Sequence, residues 1–211
     1  MDVVEKTIQT YNKIAPKYCK ITRISKFIEW EIKYVCKLIS YISKPMPLIL
    51  DIGCGDGRHC KIIEENGGKA IGIDLSESML KEAKKYYPKG NFQLIDMRKL
   101  NFDNDFFDGI WISGCIYHIP KSELNKLIEE FKRVLKLNGV ISLNFKLGTG
   151  EGMEENPKSY PGSPRYFAYY SNKEIMNTFN KFGFEELEST PFPEEIFGDR
   201  IQQMWFRLKN K

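Results

Sequence analysis

The chain has 211 residues, of which 42% are hydrophobic, 28% charged and 13% aromatic, a balance that fits one globular core and excludes a disordered or collagen-like protein. Its 32 basic and 28 acidic residues leave a net charge of +4 spread along the chain, without the concentrated basic face that nucleic-acid binders usually carry. No apolar run approaches the ~18 to 20 residues needed to cross a bilayer, and the first residues, MDVVEKTIQTYNK, lack the apolar core of a secretion signal. A cytoplasmic protein with no membrane partner is expected.

The five cysteines, Cys19, Cys36, Cys54, Cys60 and Cys115, are odd in number and include no CxxC pair, so reduced thiols are expected rather than disulfides or a zinc site. With His59 and His118 as the two histidines, no histidine-rich metal centre is expected.

In chain order, residues 1–43 read as a cap of two helices packing on a sheet, with Phe27, Trp30, Ile32, Tyr34 and Leu38 among their apolar positions. Residues 47–52, PLILDI, form a nearly continuous apolar run, as expected for a parallel strand covered on both faces. A glycine-rich turn and a short helix lead to a second strand at 69–74. Ser76 caps the next helix, which Pro88 stops. A third strand is expected at 91–95 and a fourth at 106–113. Residues 123–135 place Leu124, Leu127, Ile128, Phe131, Val134 and Leu135 on one helical stripe ahead of a fifth strand at 139–147. Ser171 and Glu174 form a capping box for a last helix that Gly183 ends, and 184–189 and 202–208 supply the final strands.

This alternation of strands and helices is α/β. Residues 44–147 are expected to form a ligand-binding core, and 166–211 the carboxyl-terminal part of the sheet, within one domain. Residues 148–165, GTGEGMEENPKSYPGSPR, exceed the ~12 to 15 residues of ordinary loops and leave the carboxyl end of strand five, where open parallel sheets bind ligands. They are expected to act as a substrate lid.

The strongest chemical signal is LDIGCGDGRHC at 50–60, a buried strand running into Gly53, Gly55 and Gly57 and then a helix. Glycine permits the sharp turn and lets a ligand press on bare backbone. Asp74 ends strand two nineteen residues beyond Gly55, where a two-oxygen acceptor can hold both hydroxyls of an adenosine ribose. Asp96 ends strand three, with Met97 beside it, and can hold an adenine amino group.

With these motifs in order, the sequence resembles the class I S-adenosylmethionine-dependent methyltransferases, from about Tyr11 to the end. GIDLSESML, FQLIDMRKL and FFDGIWISGCIYHIP are similar to the family's second, third and fourth motifs, and LKLNGVISLNF to its fifth strand. The resemblance implies a Rossmann-like, doubly wound, mostly parallel seven-stranded sheet with an antiparallel last strand and an N-terminal helical cap. It also implies S-adenosylmethionine as cofactor, S-adenosylhomocysteine as product, and cofactor contacts at Tyr11, Asp51, Gly53, Cys54, Gly55, Asp74, Leu75, Met79, Asp96, Met97 and Ser113. The upstream YNKIAPKY resembles a helix that many members fold over the methionine end of the cofactor.

A nicotinamide dinucleotide site is the main rival, but its fingerprint wants a third glycine where this chain has Arg58. A protein that binds the methyl donor without catalysis is the non-enzyme alternative. For catalysis, His118 can serve as a general base or an orienting group because its ordinary pKa lies near neutrality, or it can fix its own loop. Tyr117 can wall the pocket or pack inward. Tyr18, His118, Arg165 and Tyr169 are the expected acceptor contacts, Arg165 suiting a carboxylate or a phosphate.

The Asp/Asn-Pro-Pro-Tyr/Phe signature of base-amine methylation is absent after strand four, and Cys115 lacks the Pro-Cys context of covalent cytosine chemistry. Lys81, Lys84, Lys85 and Lys89 read as a solvated helix face. The expected acceptor is therefore a small molecule. Wobble-uridine-type tRNA methylation, with the aromatics Tyr160, Tyr166, Phe167, Tyr169 and Tyr170 stacking a base, is the runner-up. A monomer or homodimer is expected.

Overall fold

The computed structural model describes residues 2–23, 28–157, 160–192 and 200–211. Helices α1 (Val3–Arg23) and α2 (Ile28–Tyr41) come first. They are followed by β1 (Leu48–Ile52), α3 (Arg58–Glu65), β2 (Lys69–Asp74), α4 (Glu77–Tyr86), β3 (Asn91–Leu94), β4 (Phe107–Ile112), α5 (Leu124–Val134) and β5 (Leu135–Lys146). A short ribbon of β6 (Glu151–Glu154) and β7 (Arg165–Ala168) precedes α6 (Asn172–Lys181), β8 (Phe184–Pro191) and β9 (Ile201–Leu208).

Seven of these strands form one sheet in the order β3-β2-β1-β4-β5-β9-β8. β1 pairs in parallel with β2 and β4, β2 with β3, and β4 with β5, while β9 runs antiparallel between β5 and β8. The seven-stranded, mostly parallel sheet with an antiparallel last strand is as expected.

Both faces of the sheet are covered, which explains the unbroken apolar character of β1. Leu50 and Ile52 face a core shared with α5 and α6, and Ile49 faces a second core shared with α2 and α3. All three are fully buried, a contribution of about 1.5 to 3 kcal/mol each. The chain leaves β1 toward β2 and β3 on one side and returns to β4 and β5 on the other, so the sheet order reverses between β1 and β4. The carboxyl ends of these strands open a crevice there, the usual ligand position in open α/β sheets.

The caps follow the expected chemistry. Ser76 Oγ accepts the Met79 N–H at 3.1 Å, and the Ser171–Glu174 capping box is complete. The cap divides its labour: α2 packs on the sheet, whereas α1 crosses α4 and reaches β7. Tyr34 and Leu38 are buried, but Ile32 is 37% exposed and is not a core residue; Phe27 lies outside the described residues.

Two further expectations change. β5 begins at Leu135, which pairs with Phe107 before an irregularity, and regular pairing resumes at Val140. The segment 148–165 is not a structureless loop. Its ends are zipped by β6 and β7 in antiparallel register, Glu151 opposite Ala168 and Glu154 opposite Arg165. EGME offers no β-branched residue, so the strand had no local signature. Among the described residues no helix is long and apolar enough to cross a membrane.

Candidate functional site

The crevice holds a cavity of about 430 Å³. Its floor is the turn after β1, where Gly53, Gly55 and Gly57 all adopt left-handed φ values of 66°, 52° and 76°. Two of these glycines are dictated by neighbours: a Cβ on Gly53 would sit 2.5 Å from Cys115 Cβ, and one on Gly57 would sit 2.4 Å from Phe92. Gly55 differs, since a Cβ there would meet nothing closer than 4.0 Å and would project into the open crevice.

Asp74 ends β2 against this turn. Its Oδ2 accepts the Gly55 N–H at 2.9 Å and its Oδ1 the Ser76 N–H at 2.8 Å. Burial pushes its pKa above the ordinary carboxylate value, and the backbone N–H groups pull against that rise. Leu75, Ile95 and Met97 supply an apolar wall beside it, and Met79 closes the floor, its sulfur accepting the Cys19 thiol at 3.6 Å.

At the end of β4, Ser113 and Gly114 are fixed from β5. Asn144 donates to Ser113 Oγ at 2.9 Å and accepts the Gly114 N–H at 2.8 Å. The Cys115 thiol donates to the Ile52 carbonyl at 3.1 Å, and burial raises its pKa well above the ordinary thiol value, the opposite of an activated nucleophile.

Helix α1 roofs the cavity with Tyr11 and Tyr18, whose rings meet edge to face at 5.6 Å. The Tyr11 hydroxyl donates to His118 Nε2 at 2.9 Å and accepts from Arg165 at 3.0 Å, while His118 Nδ1 donates to the Tyr166 carbonyl at 2.6 Å. Both imidazole nitrogens are thereby committed, and the tautomer is set by the carbonyl. Burial, reinforced by Arg165 and Lys146, pushes the His118 pKa down to about 3. The expectation that this imidazole titrates near neutrality as a base is therefore corrected: it orients Tyr11 and ties β7 to the site.

Tyr117 lines the cavity, with its ring stacked on Phe167 at 5.8 Å. Tyr11, Gly53, Cys54, Gly55, Asp74, Leu75, Met79, Met97, Ser113, Tyr18, Tyr117, His118 and Arg165 thus converge on one cavity.

Three expected residues lie outside its lining. Asp96 is held in a two-oxygen clasp by the Arg98 guanidinium at 2.9 and 3.1 Å, and Arg98 also reaches Asp2. Asp51 is buried beneath the glycine turn, where burial raises its pKa to about 6 and the Cys60 thiol donates to it at 3.3 Å. The Tyr169 phenol donates to Glu154 across the ribbon.

Among the cavity-lining residues that sequence reasoning missed as site residues are Glu31, Asn144, Lys146, His59 and Arg58, the last considered only as a missing glycine. Arg58 donates to both Glu31 oxygens at 2.8 to 3.1 Å and reaches Asp56 at 3.3 Å; Arg23 binds Asp56 at 2.9 Å. His59 Nε2 lies 3.2 Å from Glu31 without aligned hydrogen-bond geometry. This buried network fastens α1 and α2 to the start of α3. Among the described residues no group of three metal-ligating side chains is assembled.

The comparisons with known proteins agree with this geometry. A family model described as a methyltransferase domain matches residues 49–139. A Campylobacter jejuni protein named ubiquinone/menaquinone biosynthesis C-methyltransferase is 32% identical, over 91% of this chain and 94% of its own length. A Caenorhabditis elegans phosphoethanolamine N-methyltransferase 2 is 31% identical, over 72% of this chain and 36% of its own. In fold, the chain is similar to a Burkholderia thailandensis 1,6-didemethyltoxoflavin-N1-methyltransferase crystallised with S-adenosylhomocysteine. That likeness has a TM-score of 0.76 at 15% identity and covers 98% of this chain and 88% of the other.

The chain belongs to the class I S-adenosylmethionine-dependent methyltransferases. The cavity fits that cofactor: an oriented, half-buried carboxylate stands beside an apolar slot, and bare backbone at Gly55 leaves open the space a side chain would fill.

Proposed function

We propose that the chain methylates a small molecule, binding S-adenosylmethionine across the glycine turn with its methyl directed under Tyr11. In this reading Asp74 accepts the two ribose hydroxyls, and Leu75, Ile95 and Met97 flank the adenine. Gly53, Cys54, Gly55, Met79 and Ser113 hold the remainder. Tyr11, Tyr18, Tyr117, His118 and Arg165 bound an acceptor chamber beyond it.

When bound, the cofactor supplies an electrophilic methyl group on a sulfonium. The protein's task is to align the acceptor's lone pair and exclude water. α1 and β7 supply the enclosure, and the His118–Tyr11–Arg165 chain fixes the wall nearest the reaction. Relatives are named as carbon, nitrogen and oxygen methyltransferases alike, so the acceptor atom does not follow from kinship.

The observation that carries the small-molecule reading is the closure of the chamber by α1 together with the acidic character of the ribbon beside it. Glu151, Glu154 and Glu155 would repel a phosphodiester backbone where tRNA would have to dock. The test is transfer of a radiolabelled methyl group to purified tRNA and to an acid-soluble metabolite pool. Label in the acid-soluble pool alone is expected, and label in tRNA overturns the reading in favour of a nucleic-acid methyltransferase.

A further inference from the structure

One imidazole in the cavity has no aligned hydrogen bond. His59, the second residue of α3, is 3% exposed and lines the cavity, and its Nε2 is buried without a partner. Other groups there are committed. His118 has both nitrogens engaged, Asp74 accepts two backbone N–H groups, and the carboxylates of Glu31 and Asp56 are held by arginines. Cys115 donates its thiol proton to a backbone carbonyl, and burial holds the phenols of Tyr11, Tyr18 and Tyr117 in their protonated form. Lys146 and Arg165 are cations with partners of their own.

The surroundings of His59 suit a proton acceptor. Its Nε2 lies 3.2 Å from Glu31 Oε1, and Glu31 is fixed in turn by Arg58 at 2.8 to 3.1 Å. A base steadied by a third group is the usual arrangement for activating a nucleophile. Asp51, beneath the glycine turn, also acts on the ring electrostatically. The positive charge nearby, on Arg58, is met by both Glu31 and Asp56. A proton gained by His59 therefore arrives beside carboxyl groups, which offsets the cost of a buried charge.

Trp111 narrows the group that gives up the proton. Its ring lies 5.3 Å from the His59 ring, and it lines the same cavity at 1% exposure with its Nε1–H buried and unpartnered. An indole N–H only donates. A group seated at the shared edge of the two rings must accept from Trp111, release a proton to His59 and keep a lone pair to attack the methyl group. A hydroxyl oxygen, with two lone pairs, can do all three. A neutral amine nitrogen has one lone pair, and the indole would occupy it.

We propose that His59 is the catalytic base of this chamber, and that the methyl acceptor is a hydroxyl compound that leaves as its methyl ether. The proposal rests on the assignment of this cavity to S-adenosylmethionine. An oxygen lone pair forms the new O–C bond as the C–S bond breaks with its electron pair passing to sulfur. The O–H bond breaks, its electrons stay on oxygen, and its proton passes to the imidazole and then to water. Sulfonium and neutral hydroxyl become neutral thioether and neutral ether, and the positive charge rests on His59, beside Glu31, until the proton is released.

The test incubates the full chain with tritiated-methyl S-adenosylmethionine and a metabolite extract whose thiols have been blocked and the excess reagent removed. Labelled product, separated from the donor, is expected to resist mild alkali and to yield volatile methyl iodide in hot hydriodic acid, the behaviour of an ether. His59→Gln, with His59→Asn as a second replacement, is expected to lower the maximal rate about 100-fold. The half-saturating amount of extract and the S-adenosylhomocysteine affinity should stay at parent values. Label released as methanol by alkali marks an ester, and label that survives hydriodic acid marks an N- or C-methyl group; either overturns the hydroxyl assignment whether or not the variants fold. A variant that binds S-adenosylhomocysteine and keeps its maximal rate within a few-fold of the parent overturns the role of His59. No label while the parent binds S-adenosylhomocysteine overturns this proposal alone. Failure of the parent to bind S-adenosylhomocysteine overturns the cofactor assignment and this proposal with it.

Discussion

The Tyr11 hydroxyl, on the first helix, lies 2.9 Å from His118 Nε2, on the turn after the fourth strand, across 107 residues of sequence. Burial keeps the imidazole neutral, and since its Nδ1 donates to the Tyr166 carbonyl, Nε2 is left to accept the Tyr11 hydroxyl. Burial and two nearby cations hold the folded-state pKa at about 3, against an ordinary 6.5. The unfolded chain therefore binds the extra proton first, and this contribution to stability is complete above pH 6.5 and lost as pH falls toward 3. Nitrogen NMR is expected to show a single Nδ1–H tautomer for His118 with no titration between pH 5 and 8. The His118→Gln variant is expected to lose stability less steeply than the parent between pH 6.5 and 4. A His118 resonance titrating near pH 6.5 would refute the assignment.

Asp74 is expected to dominate cofactor affinity. Replacing it with Asn keeps the size but removes a charged acceptor already set in place by Gly55 and Ser76. A charge-assisted pair of contacts is worth about 1.5 to 3 kcal/mol, so calorimetry should show S-adenosylhomocysteine binding weakened by roughly 10- to 100-fold. Equal affinity in parent and variant would place the ribose elsewhere.

The place of Asp74 against the glycine turn was legible in the sequence because it is local: a strand end at a fixed distance from that turn. Asp96 met the same criterion, yet its carboxylate is taken by Arg98, only two residues away, and a side-chain clasp of that kind has no periodic signature. The parallel core was readable for the same reason as Asp74, since β1 is short and apolar throughout. Lys146 and Asn144 were hidden inside the buried run of β5, where the visible signal was a polar residue interrupting LNFK. Glu31 sat between Trp30 and Ile32 in a helix read for its apolar positions. A carboxylate with only 5% exposure there marks a partner distant in sequence, which in this case is Arg58.

The two glycines of the turn should separate folding from binding. Gly53→Ala drives a Cβ to within 2.5 Å of Cys115 at a left-handed φ, so it should lower the thermal midpoint strongly. Gly55→Ala has room in the ligand-free protein and carries mainly left-handed backbone strain of about 1 to 2 kcal/mol. Its new methyl occupies the crevice, so thermal melts should show modest destabilisation and calorimetry a severe loss of S-adenosylhomocysteine binding. The reverse ordering would show that Gly55 does not face the cofactor.

The Arg58–Glu31 pair should control attachment of the helical cap. Burial alone would raise the Glu31 pKa, but Arg58 and His59 outweigh it and hold the carboxyl below its ordinary range. The pair's contribution is thus present above pH 4.5 and lost as pH falls through the depressed folded value. Arg58→Met strands a buried carboxylate and should cost about 3 to 5 kcal/mol at pH 7 in urea unfolding. In that variant the sign reverses, because a buried Glu31 without Arg58 is better tolerated protonated. The stability gap between parent and variant should therefore narrow on acidification from pH 7 to 4. Adding Glu31→Gln to Arg58→Met removes the stranded charge and should recover part of the loss at pH 7. A double variant no more stable than Arg58→Met alone would show that packing of the arginine stem, rather than its charge, holds the cap.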